Sequence, residues 1–243
     1  MRVVSLAPSN TEILFAIGAG DQVVATTSLC DHPEKARELP GVGGWSQGLD
    51  VEKVVEMSPD VAFASDELQD EIVDELSGRG IDVVQVRPHT LEEVYGSIET
   101  IGRTVGREQE ARELVKGMKA GLRELSAEGA RVYCEEWMRP PMASGNWVPD
   151  LVETIEGEYF LSSGERSREF ELEELARFDP EYIFLNVCGA GDKVNCAELL
   201  GREDWQEIEA VRRGEAYIID DALLNRPSPR LVEGAAEISR RVK

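Results

Sequence analysis

Catalytic side chains are scarce in this chain: 243 residues carry only two histidines, His32 and His89, and four cysteines, Cys30, Cys134, Cys188 and Cys196. A Ser–His–Asp hydrolase would need one of those histidines, and no G-x-S-x-G elbow is present. The glycine-rich fingerprints of dinucleotide and nucleotide binding are missing too. No two cysteines form a C-x-x-C pair, which argues against a zinc knuckle or a thioredoxin-like site. Cys134 falls inside a predicted strand and reads as a small core residue. No apolar run reaches the roughly 18 residues of a membrane span. Lysine is also rare, 6 residues against 20 arginines. No signal peptide precedes the first strand, so the chain as written is expected to stay in the cytoplasm, or else to be a mature domain whose leader has been removed.

Acid is abundant. The formal net charge is −22, which makes nucleic acid and anionic membranes unfavourable partners. A large acidic excess with little lysine suits a protein made for high salt, where self-repulsion is screened. The hydrophobic fraction of 42% is enough for real cores, and the length suits one large domain or two lobes.

The organising stretch is Glu108 to Ser126. Ala111, Leu114, Met118, Leu122 and Leu125 recur at helical spacing, with Glu, Lys and Arg on the opposite face. A preceding stripe, Leu91, Val94, Ile98, Ile101 and Val105, points about 140° away from it. Gly102 and Gly106 lie between the two and suit a helix end. Two helices are predicted, over 91–104 and 108–127. The second is read as a rigid strut between an amino-terminal lobe, residues 1–106, and a carboxyl-terminal lobe, residues 129–243, with 107–128 as the bridge. Strand and helix patterns alternate on both sides of it, which predicts an α/β fold with a parallel sheet in each lobe. Ser9 or Asn10 is expected to cap a first helix, 11–17.

An internal repeat supports two similar lobes. VEKVVEMSPDVAFA, 51–64, aligns without gaps on LEELARFDPEYIFL, 172–185, matching Glu52 with Glu173 and Pro59 with Pro180. Arg2-Val3-Val4 aligns more weakly on Arg131-Val132-Tyr133. Ligands of open α/β sheets bind beyond the carboxyl ends of the strands. Those ends lead into loops 28–49, 136–147, 186–195 and 220–228, and two such lobes would leave a cleft between them.

These loops are better supplied with aromatic groups than with catalytic ones. Trp45, Trp137 and Trp147 fall in loops or at a helix start, and flat walls with a few polar groups suit a large, partly apolar ligand. Trp205 reads as packing. Arg226 is able to fork onto an oxyanion or amide of a ligand, with Asp221 nearby. Cys30, Asp31 and His32 could hold a metal, but adjacent residues rarely converge on one ion, so no metal site is expected.

The opening RVVSLAPSNTEILFAIG, the stretch GGWSQGLDVEKVVEMSPDVAFA, the segment EEWMRPPMASGNWVPDLVE and the closing NRPSPRLVEGAAEI resemble the cobalamin-binding proteins that serve ABC importers. This resemblance implies two Rossmann-like lobes joined by one rigid helix, with a corrinoid in the cleft and no catalysis or cofactor. It places the cleft tryptophan on Trp45, the cleft arginine on Arg226 and the acidic neighbour on Asp221. Ser9, Asn10, Trp137 and Trp147 join the ligand-facing set, and Leu29 stands where a relative has tyrosine. It further implies an extracytoplasmic monomer whose Glu52 and Glu173 dock to arginines of a permease dimer. Siderophore and haem binders share this pattern, and a cytoplasmic corrinoid- or metal-handling protein or enzyme is a third expectation.

Overall fold

The computed structural model describes residues 1–44, 48–191 and 193–242. It divides into two compact units: Met1–Pro88 with Glu93–Gly117, and His89–Glu92 with Met118–Lys243.

The first unit runs β1 (Val3–Ser5), α1 (Pro8–Ala16), β2 (Val23–Thr26), a small hairpin of β3 (Gly43–Gly44) and β4 (Gly48–Leu49), α2 (Val51–Glu56), β5 (Val61–Ala64), α3 (Asp70–Gly78), β6 (Val83–Gln85) and α4 (Leu91–Thr104). Its main sheet has the order β2-β1-β5-β6 and every pair is parallel. β1 and β5 are buried along their whole length, as expected of strands covered on both faces. Val4, Leu6, Ala25, Val54, Ala62 and Leu76 form the core beneath them. Helix α1 starts earlier than expected. Pro8 occupies its first turn, Ala7 is the cap residue, and no side chain caps it. Proline is pre-set for that position because it lacks the N–H that would be left over anyway. Ser9 and Asn10 therefore lie inside the helix, both buried, instead of capping it.

The predicted break between the two middle helices is present. α4 ends at Thr104 and α5 spans Glu108–Arg123, four residues shorter than expected. Gly106 takes the left-handed conformation, φ +70°. Gly102 serves differently: it stays helical, and a Cβ there would lie 2.4 Å from that of Ala111. All five residues of the α4 stripe are buried. On α5 the buried set is Ala111, Val115, Met118 and Leu122, while Leu114 and Leu125 are only half-buried. The division between the units falls inside α5, after Gly117.

The second unit runs β7 (Arg131–Met138), β8 (Pro141–Ala143), α6 (Val148–Thr154), β9 (Glu158–Tyr159), β10 (Arg168–Glu169), α7 (Leu172–Phe178), β11 (Tyr182–Leu185), α8 (Cys196–Leu200), α9 (Glu209–Arg213), β12 (Ala216–Ile218) and α10 (Leu231–Arg241). β7, β9, β11 and β12 pair in parallel. β8 and β10 add antiparallel edges, so this sheet is mixed rather than purely parallel. The predicted 136–147 loop is in large part a hairpin. Pro141 is the first residue of β8, a position where proline is tolerated.

The sequence repeat extends to atomic detail. Ser58 and Asp179, which align, both have left-handed backbone, φ 45° and 48°. β5 and β11 occupy aligned residues, and Val3 pairs with Val61 as Val132 pairs with Tyr182. The Arg2 N–H donates to Asp60 at 2.6 Å, and that of Arg131 to Glu181 at 3.0 Å. The Arg2 guanidinium reaches the Ser58 carbonyl at 3.2 Å, and that of Arg131 the Asp179 carbonyl at 2.8 Å. One helix–turn–strand device, locked by an arginine at the foot of the neighbouring strand, is thus used once in each unit.

The second unit also buries a charged pair. Glu135, fully buried on β7, receives two 2.7 Å hydrogen bonds from Arg202, and the Tyr133 hydroxyl donates to it at 3.0 Å. The Arg202 guanidinium lies 4.4 Å from the centre of the Trp205 ring. Tyr133, Phe160 and Phe170 pack edge to face with one another, and Tyr133 and Phe170 also meet the Trp205 ring.

Candidate functional site

The loops past the carboxyl ends of the parallel strands are tied down by side chains that satisfy backbone groups. In the first unit, Gln69 accepts from the Ser65 N–H at 2.7 Å and donates to the Leu6 carbonyl at 2.8 Å. Gln85 donates to the carbonyls of Ser65 and Asp66 at 2.9 and 2.7 Å. Together they fix the loop after β5. The turn after β2 is held by Cys30, whose buried thiol is met by the Thr11 and Thr27 hydroxyls at 3.1 and 3.2 Å. That thiol is a packing group of the turn. Asp31 is half-buried and His32 exposed beside it. Among the described residues no group of three or more His, Cys, Asp or Glu is arranged to hold a metal ion.

In the second unit Asp221 clamps the loop after β11, accepting from the N–H groups of Gly189 and Gly191 at 3.0 and 2.9 Å. Asn225 donates to the Asn186 carbonyl at 2.8 Å and accepts from the Asn186 amide at 2.5 Å. Arg226 follows, half-buried. Trp147 is buried and its indole N–H donates to the Leu224 carbonyl at 2.7 Å, fastening the loop after β12 to the start of α6.

Other predicted residues divide by exposure. Asn10 is fully buried, and its amide donates to the Ala64 carbonyl at 3.0 Å. Ser9 is buried beside it. Leu29 and Trp137 face solvent, 39% and 47% exposed. Trp45 lies outside the described residues. Glu52 and Glu173 both stand exposed in the first turns of α2 and α7. Arg79 meets Glu52 at 2.7 Å and holds its carboxyl below the usual range.

Two residues at these ends escaped the sequence reading. Leu68, four residues past β5, is 72% exposed. Its signal was available: it is a lone apolar residue in the acidic run SDELQDE directly after a buried strand. Glu136 is the other. On a strand, neighbours point to opposite faces, so Glu135 meets Arg202 while Glu136 faces away from it, toward Ser167. Burial pushes the Glu136 carboxyl up to about 6, against a smaller pull from the Ser167 hydroxyl. The Cys188 thiol is pushed up chiefly by burial, with the charges of Asp221 and Glu136 adding to it.

Glu136 makes a pH prediction. A carboxyl that holds its proton more tightly when folded favours the folded state most below its unfolded value near 4.5. That advantage fades as pH rises through about 6. The difference corresponds to about 2 kcal/mol. Glu136→Gln is therefore expected to raise stability at pH 7.5 by up to about 2 kcal/mol and to flatten its slope between pH 4.5 and 6. Urea midpoints at both ends of that window measure it, and an unchanged slope would contradict the assignment.

These loops offer exposed apolar side chains and polar anchors. Residues 3–223 match the family model described as periplasmic binding protein, and the chain belongs to that family. It is a substrate-binding protein, not an enzyme. It is 30% identical to an uncharacterised ABC transporter substrate-binding lipoprotein, YvrC, of Bacillus subtilis, over 98% of this chain and 78% of that one. It is 25% identical to a vitamin B12-binding protein of Vibrio parahaemolyticus, over 98% and 87%. Its fold is similar to that of the periplasmic haem-binding protein HutB of Vibrio cholerae, with a TM-score of 0.83, 21% identity and coverage of 99% and 98%. Among the described residues no helix is long and apolar enough to cross a membrane.

Proposed function

We propose that this chain binds a corrinoid at the loops past the carboxyl ends of its strands and delivers it, outside the cytoplasm, to an ABC importer. One observation carries the reading. Four large apolar side chains are exposed among the described residues, and apart from the terminal Met1 all lie at these ends: Leu29, Leu68 and Trp137. Trp137 sits two residues past the stretch of β7 that pairs in parallel with β11. Covering a leucine of this kind is worth about 1.5–3 kcal/mol, and large apolar side chains left exposed at the carboxyl-end loops of each unit mark surfaces that something covers. A corrinoid has a broad apolar ring and an amide-bearing rim, which suit an exposed apolar side chain and a guanidinium such as that of Arg226. The relatives named for vitamin B12 and for an ABC transporter support the same reading.

A haem or siderophore chelate is the second reading, favoured by the haem-binding structural relative. Haem iron needs an axial ligand from the protein, whereas a cobalamin brings its own base. Tyr95, Tyr133, Tyr159 and Tyr182 are buried, and the His89 ring lies 3.3 Å from Asn146. Among the described residues His32 and Cys188 are exposed candidates, and Tyr217 is half-buried. Glu52 and Glu173, matched by the repeat, would meet cationic groups of the permease.

Titration with cyanocobalamin followed by tryptophan quenching tests the ligand. Saturation at micromolar ligand supports the corrinoid. Failure there, with haem binding that is lost in His32→Ala or Cys188→Ala, would replace it with the second reading.

A further inference from the structure

The groove at the opposite end of the second unit has no part in this proposal. It has a volume of about 470 Å³ and is lined by Tyr182, Arg213, Glu215, Tyr217, Arg240 and Arg241. Tyr182 opens β11 and Glu215 precedes β12, so the groove lies at the amino ends of these strands. Three guanidinium groups against one carboxylate line it, on a chain of net charge −22.

The three arginines are not equivalent. Arg213 pairs with Glu209 at 3.1 Å and Glu215 at 3.8 Å. Arg240 pairs with Glu237. Among the described residues no carboxylate reaches Arg241. It lies over the Tyr217 ring instead, 4.7 Å from the centroid, and the Tyr217 hydroxyl is itself held by Glu215 at 2.6 Å. A guanidinium stacked on a ring is fixed in orientation while its in-plane N–H donors stay available. Those donors form the planar fork that oxyanions accept. The acidic surface elsewhere does not forbid this, because charges beyond about 8 Å are screened at physiological salt.

We propose that this groove is an anion site that takes a small soluble oxyanion of the phosphate type, with Arg241 as the primary donor and the carboxylate-paired Arg213 and Arg240 at its rim. It is independent of the corrinoid reading and can hold or fail without it.

Calorimetric titration of the full chain with inorganic pyrophosphate, at low and then raised KCl, tests it. The expected result is saturable one-to-one binding that weakens with salt. Arg241→Gln is expected to weaken it on the order of tenfold or more, with the melting temperature unchanged. Tyr217→Leu, which removes the stacking platform, is expected to act in the same direction. No saturable heat at millimolar pyrophosphate, or equal binding by Arg241→Gln, would overturn the proposal. So would binding to phosphatidylglycerol vesicles with none to pyrophosphate, since that would make a lipid surface the ligand.

Discussion

Arg202→Ala is expected to lower the unfolding free energy by about 3–5 kcal/mol, the usual cost of stranding one member of a buried ion pair. Arg202 gives two hydrogen bonds to a carboxylate that is fully buried and a third, at 3.0 Å, to the Met138 carbonyl, and it also covers the Trp205 ring. Removing it takes away the counter-charge and the packing together. Burial already pushes the Glu135 carboxyl up, with Arg202 as the main restraint. Without that restraint Glu135 would take up a proton, so the damage should be largest at alkaline pH and smaller near pH 5. A urea melt at several pH values measures both features. A loss below about 1 kcal/mol, typical of an exposed pair, would mean that the pair contributes little.

Leu68→Ser is expected to weaken cyanocobalamin binding by about ten- to a hundred-fold, the equivalent of uncovering one leucine, about 1.5–3 kcal/mol. Stability should change by less than about 0.5 kcal/mol, because the side chain touches water in the free protein. Trp137→Ala should behave alike, since Trp137 is also exposed and its indole N–H donates to the nearby Arg139 carbonyl at 3.0 Å. Equilibrium titration of each variant beside its thermal melt separates the two effects. Unchanged affinity in a folded Leu68→Ser protein would remove Leu68 from the ligand surface while leaving the corrinoid reading to the wild-type titration.

Particular residues show where sequence patterns suffice. The α4 stripe from Leu91 to Val105 is buried as its spacing predicted. The 51–64 and 172–185 segments fold alike down to the left-handed Ser58 and Asp179. In both cases the information is local: a period, a proline, a helix that ends before a buried strand. The α5 stripe was read one residue off at Leu114 because Val115 also satisfies a helical period, and only its packing partners choose between them.

By itself the sequence determined an α/β class, a repeated helix–turn–strand unit and a large acidic excess. Those properties follow from composition and short-range spacing. Tertiary structure alone decided that Glu135 is neutralised by Arg202, that Asp221 holds the glycine loop after β11, that the 136–147 stretch forms a hairpin, and that Leu68 stands uncovered. Each depends on what a side chain or strand meets many residues away. No local pattern encodes that, because burial and pairing are properties of the packed chain.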